Sequence, residues 1–318
     1  MRAPSTNAPG KRVRALILAV AVAAPLLGVS GTATTARAAV AGATAIAGRP
    51  DLTGDGRVEM VAKGGDRFYA YRNTAGHTWG WPWGASTTFD AGQGWGGVDG
   101  RRVYFADMDG DGYKDRLQKY GDGFRGWYNT EAGWTSTPYV GTFSTGTSGW
   151  SGVNAADVWF ADINGDDRAD LIQKVGSYLQ YYPNRGSGDS WGAAISLGVL
   201  NVDDPNRIHF ADLDADGDAE LIEHTGTSFF VSPNTHGTGG GFPWPGGYDH
   251  YTGSGWENVD PNDVWFADIT GDGQADLVQK NGDALQYYPN TGQGKGWAGA
   301  RNCGTGWQYA NPNDLYFV

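Results

Sequence analysis

The stretch that decides the fold is Phe105-Ala-Asp-Met-Asp-Gly-Asp-Gly-Tyr-Lys-Asp115, in which acidic side chains alternate with small residues. Counted from Asp107 as place one, carboxylates fall at places one, three, five and nine, and glycine falls at places four and six. This spacing lets a short loop direct several oxygens at one centre. Hard oxygen ligands in such a loop suit Ca²⁺, which takes six to eight of them at roughly 2.3–2.6 Å. A β-type run precedes the loop and another follows it, so we predict a calcium loop between two strands.

The chain contains five copies of this acidic loop, and successive copies start 50 to 56 residues apart. The predicted calcium ligands at places one, three, five and nine are Asp51, Thr53, Asp55 and Glu59; Asp107, Asp109, Asp111 and Asp115; Asp162, Asn164, Asp166 and Asp170; Asp212, Asp214, Asp216 and Glu220; and Asp268, Thr270, Asp272 and Asp276. A single loop of this kind is also typical of a solvated acidic turn. Five in register favour a metal.

Two kinds of departure from the pattern bear on the metal. Asp167 replaces glycine at place six of the third loop, and Asp tolerates a positive φ better than most residues. Thr53 and Thr270 stand at place three, where a hydroxyl is a weaker ligand than a carboxylate. We therefore expect the first and fifth loops to bind calcium less tightly.

The segments FADINGDDRADLIQ, FADLDADGDAELIE and FADITGDGQADLVQ resemble the FG-GAP/VCBS repeats of integrin α-subunit propellers and of secreted microbial proteins. The resemblance extends over residues 51–318. It implies a β-propeller with Ca²⁺ in a hairpin loop of each blade. Some fungal members of that family are sugar-binding lectins, so the resemblance also allows a lectin.

The repeat length supports the same all-β architecture, because about 54 residues hold the four short strands of one propeller blade. In the third unit we predict strands at 158–161, 171–174 and 178–182 and a looser outer strand at about 191–197. The first unit lacks a strand before Asp51, whereas 315–318 match the strand at 264–267. We predict five blades of four antiparallel strands, closed by the C-terminal strand, which removes an exposed sheet edge. The alternative is part of a six- or seven-bladed propeller.

Residues 1–38 have the pattern of a secretory signal, followed by a lead-in at 39–50. Lys11, Arg12 and Arg14 give a basic start, 15–29 are apolar, and 36–38 form a small-x-small cleavage site. A membrane anchor is disfavoured because a spanning helix needs roughly 20 apolar residues, and no later segment is apolar enough. We therefore predict a secreted, extracellular protein with no membrane span.

Charge and cysteine content limit the partners. The formal net charge is −12, and removing 1–38 takes away five basic residues and no acidic one, which leaves −17. Of the 35 acidic residues, 17 stand at predicted ligand places, so metal accounts for much of the acidity. This charge argues against nucleic acid as a partner. Cys303 is the only cysteine, so an internal disulfide is impossible, and we interpret it as a bystander.

Aromatic residues also repeat. Trp95, Trp150, Trp256 and Trp307 each follow a glycine shortly before the first strand of a blade, and we assign Val199 to this place in the fourth unit. A second series follows a Tyr–Asn pair and reads Trp79, Trp134, Trp191 and Trp297, with Phe242 in the fourth unit. Such rings either fill the seams between blades or line shallow pockets that stack on sugars. The first four tryptophans are our candidate ligand-binding residues.

Three functional classes stay open: a carbohydrate-binding lectin, a protein-binding adhesion or scaffold module, and a polysaccharide-active enzyme. The five histidines follow no repeat, and the sequence has no nucleophile elbow, phosphate-binding glycine loop or Cys–His pairing. We predict a non-catalytic protein that binds carbohydrate or a cell-surface glycan, with a protein partner as the alternative.

Overall fold

The computed structural model describes residues 51–74, 83–89, 94–130, 133–135, 150–186, 191–235, 244, 246–250, 255–292 and 296–318. The predicted signal peptide and lead-in lie outside these residues. The described part contains the strands β1 Met60–Gly64, β2 Arg67–Asn73, β3 Trp83–Phe89, β4 Val103–Ala106, β5 Asp115–Tyr120, β6 Gly123–Trp127, β7 Val158–Ala161, β8 Asp170–Val175, β9 Tyr178–Tyr182, β10 Ile195–Val199, β11 Ile208–Ala211, β12 Glu220–His224, β13 Phe229–Ser232, β14 Tyr248–His250, β15 Val264–Ala267, β16 Asp276–Asn281, β17 Ala284–Tyr288, β18 Arg301–Thr305 and β19 Leu315–Phe317.

Helical structure in the described part consists of single 3₁₀ turns at Gly100–Arg102, Trp150–Gly152, Ala155–Asp157, Pro205–Arg207, Trp256–Asn258, Pro261–Asp263 and Pro312–Asp314. Five of them directly precede an innermost strand, and in these five an Asp or Asn side chain caps the first turn. Within these residues no helix is long and apolar enough to cross a membrane.

The strands form five antiparallel sheets, which are the blades of a five-bladed β-propeller. The first has the order β19-β1-β2-β3, and the third, fourth and fifth contain β7–β10, β11–β14 and β15–β18. The second contains β4, β5 and β6; we also expected a fourth strand in this blade, and 136–149 lie outside the described residues. The all-β five-bladed prediction is confirmed. In the third blade, the outer strand is Ile195–Val199. It begins four residues after the start of the predicted strand at about 191–197.

The C-terminal strand completes the first blade as predicted. Residues 315–317 pair with β1 in the register Met60↔Phe317 and Ala62↔Leu315, and Val318 donates its N–H to the Glu59 carbonyl at 2.8 Å. Contacts join β4 to β7, β7 to β11, β11 to β15 and β15 to β19. The Tyr316 and Phe105 rings meet at 4.9 Å between centroids, so the innermost strands form a closed circle.

The hydrophobic core is divided among the seams between blades. Each of five clusters joins side chains from two adjacent blades. Successive side chains of a strand point to opposite faces of the sheet, and both faces of each blade meet a neighbouring blade. Each blade therefore needs bulky side chains on both faces, which explains the high content of tryptophan and tyrosine. We call the end of the blades that carries the acidic loops the loop end, and the opposite end, with the hairpin turns and 3₁₀ turns, the turn end.

Candidate functional site

The acidic loops all connect the first two strands of a blade. Places four and six have positive φ in every copy, for example 77° at Gly110 and 84° at Gly112. Two non-glycine residues adopt this conformation in the described part: Asp167 at place six (64°) and Ala215 at place four (66°). The sequence therefore places glycine at most positions where the backbone is left-handed. Asp167 adopts the positive φ that we expected it to tolerate.

The place-one carboxylate is the centre around which each loop folds. In the second loop, Asp107 accepts the backbone N–H groups of Gly110 at 2.7 Å and Gly112 at 2.8 Å. Asp268 accepts those of Gly271 and Gly273, both at 2.6 Å. These bonds hold the loop closed and leave further lone pairs on the carboxylate, which has about four acceptor sites.

The place-nine carboxylates are fully buried in all five loops. Asp115 accepts the N–H of Met108 at 3.2 Å and that of Asn129 at 2.7 Å. Asp170 and Asp276 make the equivalent pairs of bonds. In these three loops the place-nine carboxylate is therefore held by backbone N–H groups on both oxygens.

The donor set fits a hard cation. Carboxylate oxygens of Asp107, Asp109 and Asp115 lie within 4.8 Å of one another, and so do those of Asp212, Asp214 and Glu220. Burial next to these like charges raises the pKa of Glu220 to about 9 and that of Asp115 well above its usual range. Since buried carboxylates of one sign are unfavourable without a compensating charge, a bound dication would relieve the repulsion in both loops.

The other three loops offer fewer charged oxygens. In the first, Oε2 of Glu59 is buried and has no hydrogen-bond partner among the described residues, which fits a missing ligand. In the third, the Asn164 amide donates to both oxygens of Asp170 at 3.2 and 3.1 Å, and Arg168 pairs with Asp166 at 2.7 Å. In the fifth, Thr270 Oγ1 is buried without a partner in the described part. Weaker binding at the first and fifth loops stays a prediction.

Neighbouring loops are linked by a ring of hydrogen bonds that sequence reasoning missed. The place-one carbonyl of each loop accepts the place-eight N–H of the next, as in Ala169 N–H to Asp107 O at 2.8 Å. A buried asparagine then donates Nδ2 to the place-two carbonyl of the preceding loop: Asn129 to Leu52, Asn184 to Met108, Asn234 to Ile163, Asn290 to Leu213 and Asn73 to Ile269. The signal in the sequence was the repeated asparagine that precedes each aromatic residue of the second series, to which we gave no structural role.

The candidate tryptophans lie in the seams. Trp95, Trp150 and Trp256 are only 5, 3 and 4 % exposed, and Trp307 is half-buried. Trp95 packs against Phe68 with ring centroids 5.3 Å apart. Because the faces of the three buried indoles are covered by protein, their placement favours the seam-filling alternative over sugar stacking.

The assignment of Val199 to this series is wrong by one residue. Each tryptophan stands eight residues before its innermost strand, and the residue eight before Ile208 is Leu200. Leu200 is buried in the seam cluster of the third and fourth blades, whereas Val199 is 65 % exposed at the end of β10.

The second aromatic series also needs a corrected register. Trp83 pairs with Asn73 in the first blade, as Trp134, Trp191 and Trp297 pair with their asparagines. In the fourth blade Trp244 packs against Phe210 at 5.9 Å, as Trp297 packs against Phe266 at 5.7 Å. Trp83 and Trp244 thus hold the places that we assigned to Trp79 and Phe242, which lie outside the described residues. Longer loops before these two tryptophans shifted the pattern.

No protein-family profile and no curated protein matches the chain. Among solved structures, it is similar to an Agrocybe aegerita lectin described as recognising non-reducing terminal N-acetylglucosamine, with 19% identity, 77% of this chain and 62% of that chain covered, and a TM-score of 0.47. It is also similar to the Photorhabdus luminescens Tc holotoxin pore (19% identity, 80% and 11% covered, TM-score 0.46).

A third similar structure belongs to a study of the de novo evolutionary emergence of a symmetrical protein, with 15% identity, 81% of this chain and 98% of that chain covered, and a TM-score of 0.46. The chain spans less than two thirds of the length of the lectin and about a tenth of the toxin component.

Proposed function

We propose that this chain is a secreted, calcium-binding β-propeller of the FG-GAP/VCBS type that binds carbohydrate. The observation that carries the proposal is the set of five acidic loops, each with a fully buried carboxylate at place nine and oxygen-bearing residues at places one, three and five. Ca²⁺ is the ion that such a flexible, oxygen-rich loop accommodates. Bound calcium would supply positive charge where the fold concentrates negative charge.

The calcium part of the proposal is tested by thermal unfolding with and without a chelator. Extracellular calcium modules bind with Kd of roughly 10⁻⁴–10⁻³ M, and at tenfold excess over Kd each site adds on the order of 1.4 kcal/mol by mass action. We expect excess EGTA to lower the melting temperature clearly. Calorimetric titration of the chelated protein should then return about five sites.

A pair of variants locates the calcium sites. Asp111→Ala should remove one site from the titration. The matched control is Asp122→Ala, which removes an exposed carboxylate at the turn end of the same blade and should leave the number of sites unchanged. A melting temperature that is the same in calcium and in excess EGTA would remove calcium from the proposal.

The carbohydrate part is supported by aromatic side chains that stay accessible on a rigid scaffold. Tyr120, Tyr178 and Tyr309 are 53, 56 and 90 % exposed, and a flat ring beside polar backbone suits a ligand with both C–H faces and hydroxyls. The proposal involves no catalytic step, since the place-nine carboxylates are occupied by backbone N–H groups and by the proposed metal. A glycan array run in calcium and in EGTA is the test. We expect glycan binding in calcium and its loss in EGTA.

One observation favours protein binding as the second candidate. Tyr178 lies opposite Val175 on one side and Val199 on the other, and these two valines are 47 and 65 % exposed. Among the described residues, the equivalent hairpin pairs of the other blades do not form such a patch, as Asn281 and Ala284 in the fifth blade illustrate. A glycan array without any signal would leave this patch as the better guide to function.

A further inference from the structure

The innermost strands surround a cavity of about 340 Å³, which we call the axial cavity. The second residue of each innermost strand lines it and is half-buried, and all five of these residues carry a ring: Tyr104, Trp159, His209, Trp265 and Tyr316. Pockets for small ligands span roughly 300–1,000 Å³. The axial cavity is therefore large enough for one small molecule.

These five rings are held in place by the next blade. Each packs against the phenylalanine of the neighbouring innermost strand, with centroid distances of 5.1 Å for Tyr104–Phe160, 5.6 Å for Trp159–Phe210, 5.0 Å for His209–Phe266, 5.3 Å for Trp265–Phe317 and 4.9 Å for Tyr316–Phe105. A side chain that is already fixed loses little conformational entropy when a ligand binds. The lining is thus preorganised.

Some polar groups of the lining form hydrogen bonds within the protein, whereas one does not. The hydroxyls of Tyr104 and Tyr316 donate to the carbonyls of Ala155 at 2.9 Å and Gly100 at 3.0 Å, so the protein itself uses them. His209 Nε2 is buried and has no hydrogen-bond partner among the described residues. Burial lowers the pKa of His209 to about 3, so its imidazole is neutral.

The charge around the cavity favours an uncharged ligand. No carboxylate side chain lines it within the described residues, although the protein as a whole is strongly acidic. Arg101 lies at the turn-end mouth, where both its Nε and Nη2 donate to Asp99, at 3.2 and 2.8 Å, and this ion pair offsets its charge. At the same mouth, Asn206 and Asn262 donate Nδ2 to Asp204 and Asp260, which leaves their Oδ1 atoms as acceptors for ligand hydroxyls.

We propose that the axial cavity binds a single uncharged sugar residue, free or at the end of a glycan chain, between the rings of Trp159, His209 and Trp265. Aromatic walls suit the C–H faces of a pyranose, and the imidazole and the asparagine oxygens suit its hydroxyls. This inference rests on the proposed carbohydrate function and assigns it one site on the axis instead of several equivalent sites between blades.

The test is calorimetric titration of the calcium-loaded protein with uncharged monosaccharides: glucose, galactose, mannose and N-acetylglucosamine. We expect one site per chain for the sugar that binds. His209→Phe keeps a ring against Phe266 but removes the imidazole nitrogens, and it should weaken binding about tenfold. Trp159→Phe should weaken binding by a similar factor. Ile195→Ser, at a 44 % exposed residue on the outermost strand of the third blade, is the control and should bind like the parent.

The outcomes separate the inference from the proposed function. Several equivalent sites per chain, or unchanged affinity in both cavity variants, would overturn the axial site and leave carbohydrate binding standing. If no monosaccharide and no array glycan binds, both are overturned. Melting curves show whether a variant still folds, and if His209→Phe does not, the number of sites in the parent and the Trp159→Phe titration decide.

Discussion

Neighbouring blades are joined by different hydrogen bonds at the loop end and at the turn end. At the loop end, all five junctions repeat one set of bonds, from backbone N–H to place-one carbonyl and from asparagine to place-two carbonyl. At the turn end the bonds repeat only in part: Asp66, Asp122 and Asp283 accept the N–H groups of Gly96, Ser151 and Gln308, whereas at the junction of the third and fourth blades the Ser177 carbonyl accepts the N–H of Leu200.

The difference follows from burial. At the loop end, backbone groups of two blades meet away from water, and an unpaired buried carbonyl or N–H is costly, so the same atoms must pair five times. At the turn end, the connecting segments are largely exposed and water satisfies what the protein does not. Interblade bonds that are the same at all five junctions therefore belong to the loop end, whereas residues that differ between blades, which a specific ligand can exploit, occur at the turn end and on the axis.

The largest effect is expected from opening the ring, because the junctions at both ends require each blade to contact its neighbours. Deleting 315–318 leaves β1 paired with β2 alone, without its inner partner strand, and removes Val318, which is 2 % exposed in the seam of the first and second blades. We expect insoluble protein or loss of a cooperative melt, measured by circular dichroism. Tyr309→Ser, a change at a 90 % exposed residue nearby, should melt like the parent. A soluble, cooperatively folded deletion variant would mean that the C-terminal strand does not close the ring.

The next effect breaks one junction at the loop end. Asn184 donates Nδ2 to the carbonyls of Met108 at 3.0 Å and Ala169 at 3.1 Å. Asn184→Leu leaves both buried carbonyls without this donor, at roughly 1–3 kcal/mol per group, so we expect the free energy of unfolding to fall by about 3 kcal/mol in a urea titration. Asp122→Ala, at the turn end of the preceding blade, should shift the urea midpoint very little. Equal shifts in the two variants would contradict the contrast between the ends.

A smaller effect tests how far the loop-end motif constrains its neighbours. Directly after the buried Asp115, Arg116 is 0 % exposed, where the other blades have Met60, Leu171, Leu221 and Leu277. Its guanidinium lies 4.3, 4.6 and 4.8 Å from the ring centroids of Trp95, Trp127 and Trp134. Such contacts stabilise a desolvated cation by about 2 kcal/mol, which offsets part of the cost of burying its charge.

We therefore expect Arg116→Met, which restores the residue type of the first blade, to leave the free energy of unfolding within about 1 kcal/mol of the parent. Arg116→Ala should lower it by about 3 kcal/mol, because it leaves a cavity among the three indoles. A loss in Arg116→Met as large as that in Arg116→Ala would show that the charge, not the volume, holds this seam together.

The sequence was most informative where chemistry repeats at fixed spacing. The loops, the blade number and the pairing of β19 all follow from the spacing of Asp107 and its equivalents. Errors occurred where the loop length differs between blades, as with Val199 in place of Leu200 in the shortest repeat and Trp79 in place of Trp83 after a longer loop. The axial cavity and the asparagine ring could not be predicted, because both depend on which residues of different blades meet, and a single blade contains neither.

The smallest effect concerns one loop against another. Ala215 stands at place four with φ of 66°, where the other four loops have glycine. A non-glycine residue in this region is strained by roughly 1–2 kcal/mol, whereas glycine adds roughly 0.4–1 kcal/mol of unfolded-state entropy. Ala215→Gly should therefore raise the free energy of unfolding by about 0.5 kcal/mol in a urea titration. The reverse change in the third loop, Gly165→Ala, should lower the free energy of unfolding by about 1–2 kcal/mol, because an alanine there must adopt a φ of 70° and its Cβ displaces the Asp218 carboxylate. If Ala215→Gly lowers stability, the alanine is not strained, and the fourth loop holds its shape through contacts that the others lack.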